Sequence, residues 1–315
     1  MPNYSGVWTL QTQMQAQGAG NWPKFERAII FAGETASSGG NGTTAIQYVT
    51  ISTLSNSASF GSLSAISLSG AAVGSSTTAI ANIGYTTGSV NTSAMQYVTI
   101  ASTGNSTNFG NLLGNLTNSV GTNSSTRGVF LGGGDGTTGN VIQYITMAST
   151  GNATSFGTLA FSTRSQGGVS SPTRGIVAGG YGAGNVIWYI TTASTGNSTS
   201  FGQLAYDKYG LAGCSSSTRG VFAGGSTNWQ SAEYITMAST GNATSFGGIN
   251  TGGAQLYNLA ASSPTRGLFM GGQDWTVSGI SYITIATTGS CALFGYLSPT
   301  TRQTGATSNC NGGVQ

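Results

Sequence analysis

Apolar side chains in this chain come in short bursts, and the bursts return in the same wording. Around Gln143–Gly157 (QYITMASTGNATSFG), residues Val141, Ile142, Tyr144, Ile145 and Met147 put apolar groups on both faces of an extended segment. A polar stretch follows, then a Phe-Gly pair. A sheet with one wet face should alternate cleanly, so this pattern predicts strands covered on both sides. The same words stand at Gln47–Gly61, Gln96–Gly110, Trp188–Gly202, Glu233–Gly247 and Ser281–Gly295. Their tyrosines (Tyr48, Tyr97, Tyr144, Tyr189, Tyr234, Tyr282) are spaced by 49, 47, 45, 45 and 48 residues, each 12 before the Phe.

A second block lies between them: STRGVFLGG (Ser125–Gly133), PTRGIVAGG (Pro172–Gly180), STRGVFAGG (Ser217–Gly225) and PTRGLFMGG (Pro264–Gly272). Weaker copies are ERAIIFAG (Glu26–Gly33) and TTAIANIG (Thr77–Gly84), with Ala28 in place of the glycine and Thr78 in place of the arginine. Each unit therefore reads as four short strands. A small-residue strand such as Gly210–Ser216 comes first, and a Thr-Arg-Gly turn follows, its glycine expected to supply positive φ. GVFAGG, the YITMAST segment and TSFG make the other three.

Stacked four-stranded units of this length make either a propeller or an open solenoid. The phase of the repeat decides between them. The first unit enters at its second strand near Phe25, whereas 18 residues follow the last unit's fourth strand at Phe294–Leu297. Arg302 lies eight residues after Phe294, as Arg164 lies eight after Phe156 and Tyr209 eight after Phe201, so the tail is a first strand without its partners. Pairing with the first unit would close the ring and remove free sheet edges. The fold expected is all-β: a six-bladed β-propeller of four-stranded blades over residues 23–315, closed by its terminal segments, with an N-terminal extension at 1–22.

Composition narrows the chemistry. Glycine fills 52 of 315 positions and charged residues only 5%, with a net charge of +3. Aromatics at 10% argue against disorder, and no apolar run reaches the roughly 18 residues of a membrane helix. There is no histidine, which removes imidazole acid–base chemistry and most zinc sites. Cys214, Cys291 and Cys310 form an odd, scattered set that reads as small packed residues. The six acids (Glu26, Glu34, Asp135, Asp207, Glu233, Asp274) fall on different units, too dispersed for paired-carboxylate hydrolysis. Neither cofactor, metal site nor catalytic residue is expected. The nine basic residues spread around the ring instead of forming a stripe, against nucleic-acid binding.

An Arg-Gly turn, an apolar strand ending in Gly-Gly, a Tyr, and an aromatic late in the fourth strand resemble the kelch repeat, with Phe156, Phe201 and Phe246 where kelch usually has tryptophan. The YITMASTGNATSFG wording and the opening YSGVWTLQTQMQAQGAGNWP (Tyr4–Pro23) are similar to repeat proteins of marine tailed phages of the cyanophage type. That resemblance implies a virion structural protein on the particle surface: a tail- or fibre-associated host-attachment module, or a capsid decoration protein. Its partners would be other virion proteins and a host-surface glycan or envelope protein, with copies meeting through the particle and no membrane insertion. A free glycan-binding lectin is the alternative.

Loop lengths show where function could sit. The step from Phe to the next Arg position is 18 residues except once, at 20, whereas the step from Arg position to Tyr runs 21, 19, 17, 15, 15 and 16. Variation thus gathers in the loop between second and third strands, which shares a face with the fourth-to-first connection. One diversified face on a constant scaffold suits recognition. Its candidate residues are Tyr85, Asp135, Tyr181, Trp229, Asp274 and Trp275, with Glu34 beside them, and Tyr206, Asp207, Lys208 and Tyr209 from one connection. Either these aromatics contact a ligand or they fold over the disk and cap it. The repeated Arg127, Arg174, Arg219 and Arg266 read either as turn residues whose stems pack on a neighbour or as an anion-binding ring. In the N-terminal segment, Ser5 can cap a short helix carrying Val7, Leu10 and Met14 on one face, beside Tyr4, Trp8 and Trp22. It either docks the ring onto another virion protein or packs across the disk.

Overall fold

The structure, a computed structural model, describes residues 26–35, 42–134, 139–249, 255–273 and 277–310. It is all-β, with six four-stranded antiparallel sheets forming a six-bladed propeller. Blade one holds β1 (Arg27–Gly33), β2 (Thr43–Thr50) and β3 (Ala58–Ser67). Blade two is β4 (Ala72–Gly74), β5 (Thr78–Thr86), β6 (Val90–Thr99) and β7 (Thr107–Asn111). Blade three is β8 (Val120–Asn123), β9 (Arg127–Leu131), β10 (Val141–Thr146) and β11 (Thr154–Thr158). Blade four is β12 (Gly167–Ser170), β13 (Arg174–Ala178), β14 (Val186–Thr191) and β15 (Thr199–Gln203). Blade five is β16 (Leu211–Ser215), β17 (Arg219–Gly224), β18 (Ser231–Thr236) and β19 (Thr244–Gly248). Blade six is β20 (Leu259–Ser262), β21 (Arg266–Met270), β22 (Gly279–Thr284) and β23 (Ala292–Tyr296). The last strand, β24 (Ala306–Ser308), returns to blade one and pairs with β1 through Ala28↔Ser308, Ile29↔Thr307 and Ile30↔Ala306. The ring closes as its repeat phase required, and each innermost strand touches the next around the axis.

A second circle confirms the closure. Ser69, Asn118, Ser165, Gly210, Tyr257 and Gln303 stand one per blade where the chain enters its innermost strand, all at φ between 54° and 69°. The amide of each donates to the carbonyl of its counterpart in the preceding blade, from Ser69 to Gln303 at 2.8 Å around to Gln303 to Tyr257 at 3.3 Å. Six hydrogen bonds thus satisfy backbone groups that would otherwise crowd the axis.

The core lies between blades. Six apolar clusters are present, one per interface, and Phe31, Phe130, Phe222 and Phe269 are among the largest fully buried side chains. Each such ring contributes about 1.5–3 kcal/mol on burial. The repeated words mostly serve these interfaces. In the Phe-Gly pair, a Cβ on Gly157 would lie 2.1 Å from the carbonyl oxygen of Gly196 in the next blade, and one on Gly202 would lie 2.1 Å from that of Gly241. The Gly-Asn of the same loop completes the join: Gly196 N donates to Phe156 O at 2.8 Å, and Asn197 Oδ1 accepts from Thr158 N at 3.0 Å.

The Thr-Arg-Gly segment corrects the expectation drawn from sequence. Gly128, Gly175, Gly220 and Gly267 lie within strands, not at the turn, and none has positive φ. They are glycine because the neighbouring blade leaves no room: a Cβ on Gly267 would sit 2.3 Å from Cys214 Sγ, and one on Gly220 2.7 Å from Val169 Cγ2. The hairpin is instead held by hydroxyls, as where Arg219 N donates to Ser216 Oγ at 3.1 Å. Positive φ occurs at the Gly-Gly end of the second strand, at Gly224 (80°) and Gly225 (98°).

Candidate functional site

The arginines beside those glycines reach across to the next blade. Each stacks on the Tyr of its own blade and reaches the carbonyls that end the third strand of the next. Arg219 lies 4.3 Å from the Tyr234 ring, and its Nη1 donates to Ile285 O at 3.0 Å and Ala286 O at 2.7 Å. Arg127 reaches Thr192 and Ala193, Arg174 reaches Met237, and Arg266 reaches Ile51. Arg27 does the same toward Ile100 at 2.8 Å; burial lowers its pKa, and the neighbouring Tyr48 opposes that shift. Each Tyr meets its Phe edge-on, at 6.0 Å for Tyr144 and Phe156. This column of Phe, Tyr and Arg is a clip between blades, present at five interfaces and missing from blade two, where Thr78 stands.

The opposite face holds the connections between second and third strands beside those from fourth to first. At five equivalent stations among the described residues the backbone of one meets the other: Glu34 with Arg302, Tyr85 with Leu68, Gly134 with Thr117, Tyr181 with Arg164, and Ser226 with Tyr209. The backbone arrangement repeats and the side chains do not. This is the diversified face expected from loop lengths.

Within it, one cluster of rings stands out. Tyr181 is 57% exposed, with the Arg164 guanidinium 4.7 Å from its ring. Tyr209 meets Tyr181 edge-on at 5.6 Å, and Tyr257 follows at 6.4 Å. The row runs from blade four toward the axis, where Tyr257 belongs to the hydrogen-bonded circle. Burial raises the Tyr257 pKa, as does Tyr209, while Arg164 and Arg302 lower it. Beside it two small axial cavities of ≈ 100 Å³ and ≈ 80 Å³ are lined by Ser119, Gln166, Asn258 and Thr304, among others.

The structure thus brings Tyr181 and Tyr209 together and leaves the others apart. Tyr85 is half-buried, its hydroxyl accepting from Thr117 Oγ1 at 3.3 Å. Trp229 is 38% exposed in a shallow groove with Asn228, Gln230 and Gly248, away from the row. Tyr206 is exposed with no ring against it among the described residues. Lys208 and Glu34 are not contact residues: Lys208 is buried in an ion pair with Glu233 at 2.9 Å, and Glu34 in one with Arg302 at 2.6 Å. Asp135, Asp274 and Trp275 lie outside the described residues, as do Tyr4, Val7, Trp8, Leu10, Met14 and Trp22 of the N-terminal segment. Sequence reasoning passed over Arg164 and Tyr257. Arg164 served only as a register mark, and Tyr257 sits inside the one Phe-to-Arg spacing that departs from 18, between Phe246 and Arg266.

Among the described residues, no three His, Cys, Asp or Glu side chains lie close enough to hold a metal ion. Cys214, Cys291 and Cys310 form no disulfide, and among the described residues no helix is long and apolar enough to cross a membrane. No protein-family model matches the chain, and no curated protein matches it.

Proposed function

We propose that this chain is a non-enzymatic, kelch-like recognition propeller carried on the virion of a tailed phage, attached at tail, fibre or capsid, with its diversified face turned to a host or partner surface. The observation that supports recognition is the set of backbone stations with unlike side chains on one face, above a scaffold whose repeated words serve packing. Exposed Leu113, Phe161 and Tyr206 add apolar contact area in the fourth-to-first connections. The absence of histidine, and the engagement of Glu34 and Glu233 in ion pairs, support a binding role over catalysis. The virion placement is supported by the resemblance of the repeats and the opening segment to marine phage proteins.

Mass spectrometry of purified particles, with immunogold labelling, tests the placement; a particle without the protein refutes it. Adsorption competition tests the face. The isolated propeller should block particle adsorption, or bind empty capsids if it is a decoration protein, and a Tyr181→Ala/Tyr209→Ala variant should do so less well. Deleting residues 1–22 should leave a folded ring that no longer joins particles if the segment docks, whereas collapse of the ring would assign it to packing. The lectin alternative is favoured by the tyrosine row, exposed at Tyr181 and half-buried at Tyr209 and Tyr257.

A further inference from the structure

The propeller contains its own comparison for Arg164. Arg302 and Arg164 occupy one station in two blades, each eight residues after the fourth-strand Phe and each bridged through the backbone to the residue seven after the second-strand Arg. In blade one that residue is Glu34, whose Oε2 accepts from Arg302 Nε at 2.6 Å. In blade four it is Tyr181, and the guanidinium lies over its ring at 4.7 Å. The carboxylate that completes the arginine in one blade is therefore replaced in the other by an exposed aromatic face. Among the described residues the Arg164 guanidinium has no carboxylate partner and no hydrogen-bond acceptor.

What surrounds this cation is chiefly aromatic and polar, with one exposed carboxylate, Asp207, at the Gly184 border, where its Oδ1 would lie 3.2 Å from a Cβ on that glycine. Tyr209 and Tyr257 continue the row, and Ser162, Ser165, Gly182 and Gly184 border it. A peptide anchor needs a deep apolar pocket. The cavities beside the row are small, ≈ 100 Å³ and ≈ 80 Å³, and give a bulky inserted side chain little room. A sugar ring needs an aromatic surface for its C–H face and hydroxyl partners at its edge. We infer that the Arg164–Tyr181–Tyr209 surface binds a carboxylate-bearing sugar, its ring against Tyr181 and its carboxylate received by the Arg164 guanidinium. A guanidinium offers two parallel donors to a carboxylate, the pairing that Glu34 supplies internally to Arg302 through one oxygen. The phenol hydroxyls of Tyr209 and Tyr257 meet ring hydroxyls. This rests on the recognition reading and names its ligand class.

The test uses the full chain and calorimetric titration with hexagalacturonate, a neutral maltohexaose and a hexaglutamate peptide. Hexagalacturonate should bind, and the two controls should bind at least about tenfold more weakly. Arg164→Gln and Tyr181→Ala should each weaken the uronate by about tenfold or more while melting within a few degrees of the parent, and Trp229→Ala should bind as the parent does. Uronate affinity unchanged in Arg164→Gln overturns the assignment, and so does equal affinity for maltohexaose. Hexaglutamate binding as tightly as uronate, through Arg164, overturns the sugar class and leaves recognition standing with an acidic protein as partner. No binding in any arm overturns the site itself, and the adsorption competition above then judges the recognition reading separately.

Discussion

Replacing Arg219 with methionine isolates the clip between blades five and six, because the apolar stem stays while the guanidinium goes. Three interactions are lost: hydrogen bonds to Ile285 O at 3.0 Å and Ala286 O at 2.7 Å, and the cation over Tyr234 at 4.3 Å. Hydrogen bonds from a charged donor contribute about 1.5–3 kcal/mol, and a cation–π contact about 0.5–1 kcal/mol at a partly wet site. Ala286 is exposed, so water replaces the guanidinium at that carbonyl, and Ile285 is buried, so its carbonyl is harder to rehydrate. The net expectation is a loss of about 2 kcal/mol, read from urea unfolding by fluorescence and far-ultraviolet dichroism together. Arg219→Lys should recover less than half of it, since a single ammonium cannot stack on Tyr234 and reach both carbonyls. The complementary experiment adds the missing clip. Thr78→Arg places the side chain beside Tyr97, facing the end of the third strand of blade three, and should stabilise by about 1 kcal/mol. A loss below about 0.5 kcal/mol in Arg219→Met, together with no gain in Thr78→Arg, would refute the clip as a source of stability.

Lys208→Met leaves Glu233 buried without its counter-charge and should cost about 3–5 kcal/mol, most of it recovered when Glu233→Gln is added, since Gln47, Gln96 and Gln143 hold that position in other blades. Equal melting of the single and double variants would contradict this. Gly202→Ala drives a Cβ to 2.1 Å from Gly241 O and should lose about 1–3 kcal/mol by chemical denaturation, whereas Gly196→Ala, with nothing within 4 Å, should lose much less. Burial raises the Cys214 thiol above its ordinary 9.0, so the folded state favours the protonated form. Its contribution is complete below that pH and is lost as pH rises above it, and Tyr257 adds the same trend above 10.0. Thermal melts between about pH 8 and pH 11 should fall less steeply in Cys214→Ala; parallel curves would refute the linkage.

Much of the fold was legible along the chain. The repeated words set the number of blades and the order of strands, and the phase difference between the two ends set the closure that β24 and β1 make. Both are one-dimensional properties, readable by counting. The face of the candidate site was legible for the same reason, since loop length varies mainly in the connection between second and third strands. The fourth-strand Phe-Gly and the loop Gly-Asn were visible as motifs, but not as two halves of one join.

The tertiary structure alone decided what the individual residues do. The glycine after each arginine looked like a turn residue, and only a side chain from the adjacent blade, such as Cys214 against Gly267, shows that clearance excludes a Cβ there. Arg302 meets Glu34 across a sequence separation of 268, and Arg164 stands without a carboxylate among the described residues because Tyr181 occupies the matching station. Lys208 was grouped with exposed neighbours until Glu233 drew it inward. Periodicity carries the information that every blade shares. Partners brought together by ring closure or blade contact differ from blade to blade, and no spacing along the chain records which side chain will face which.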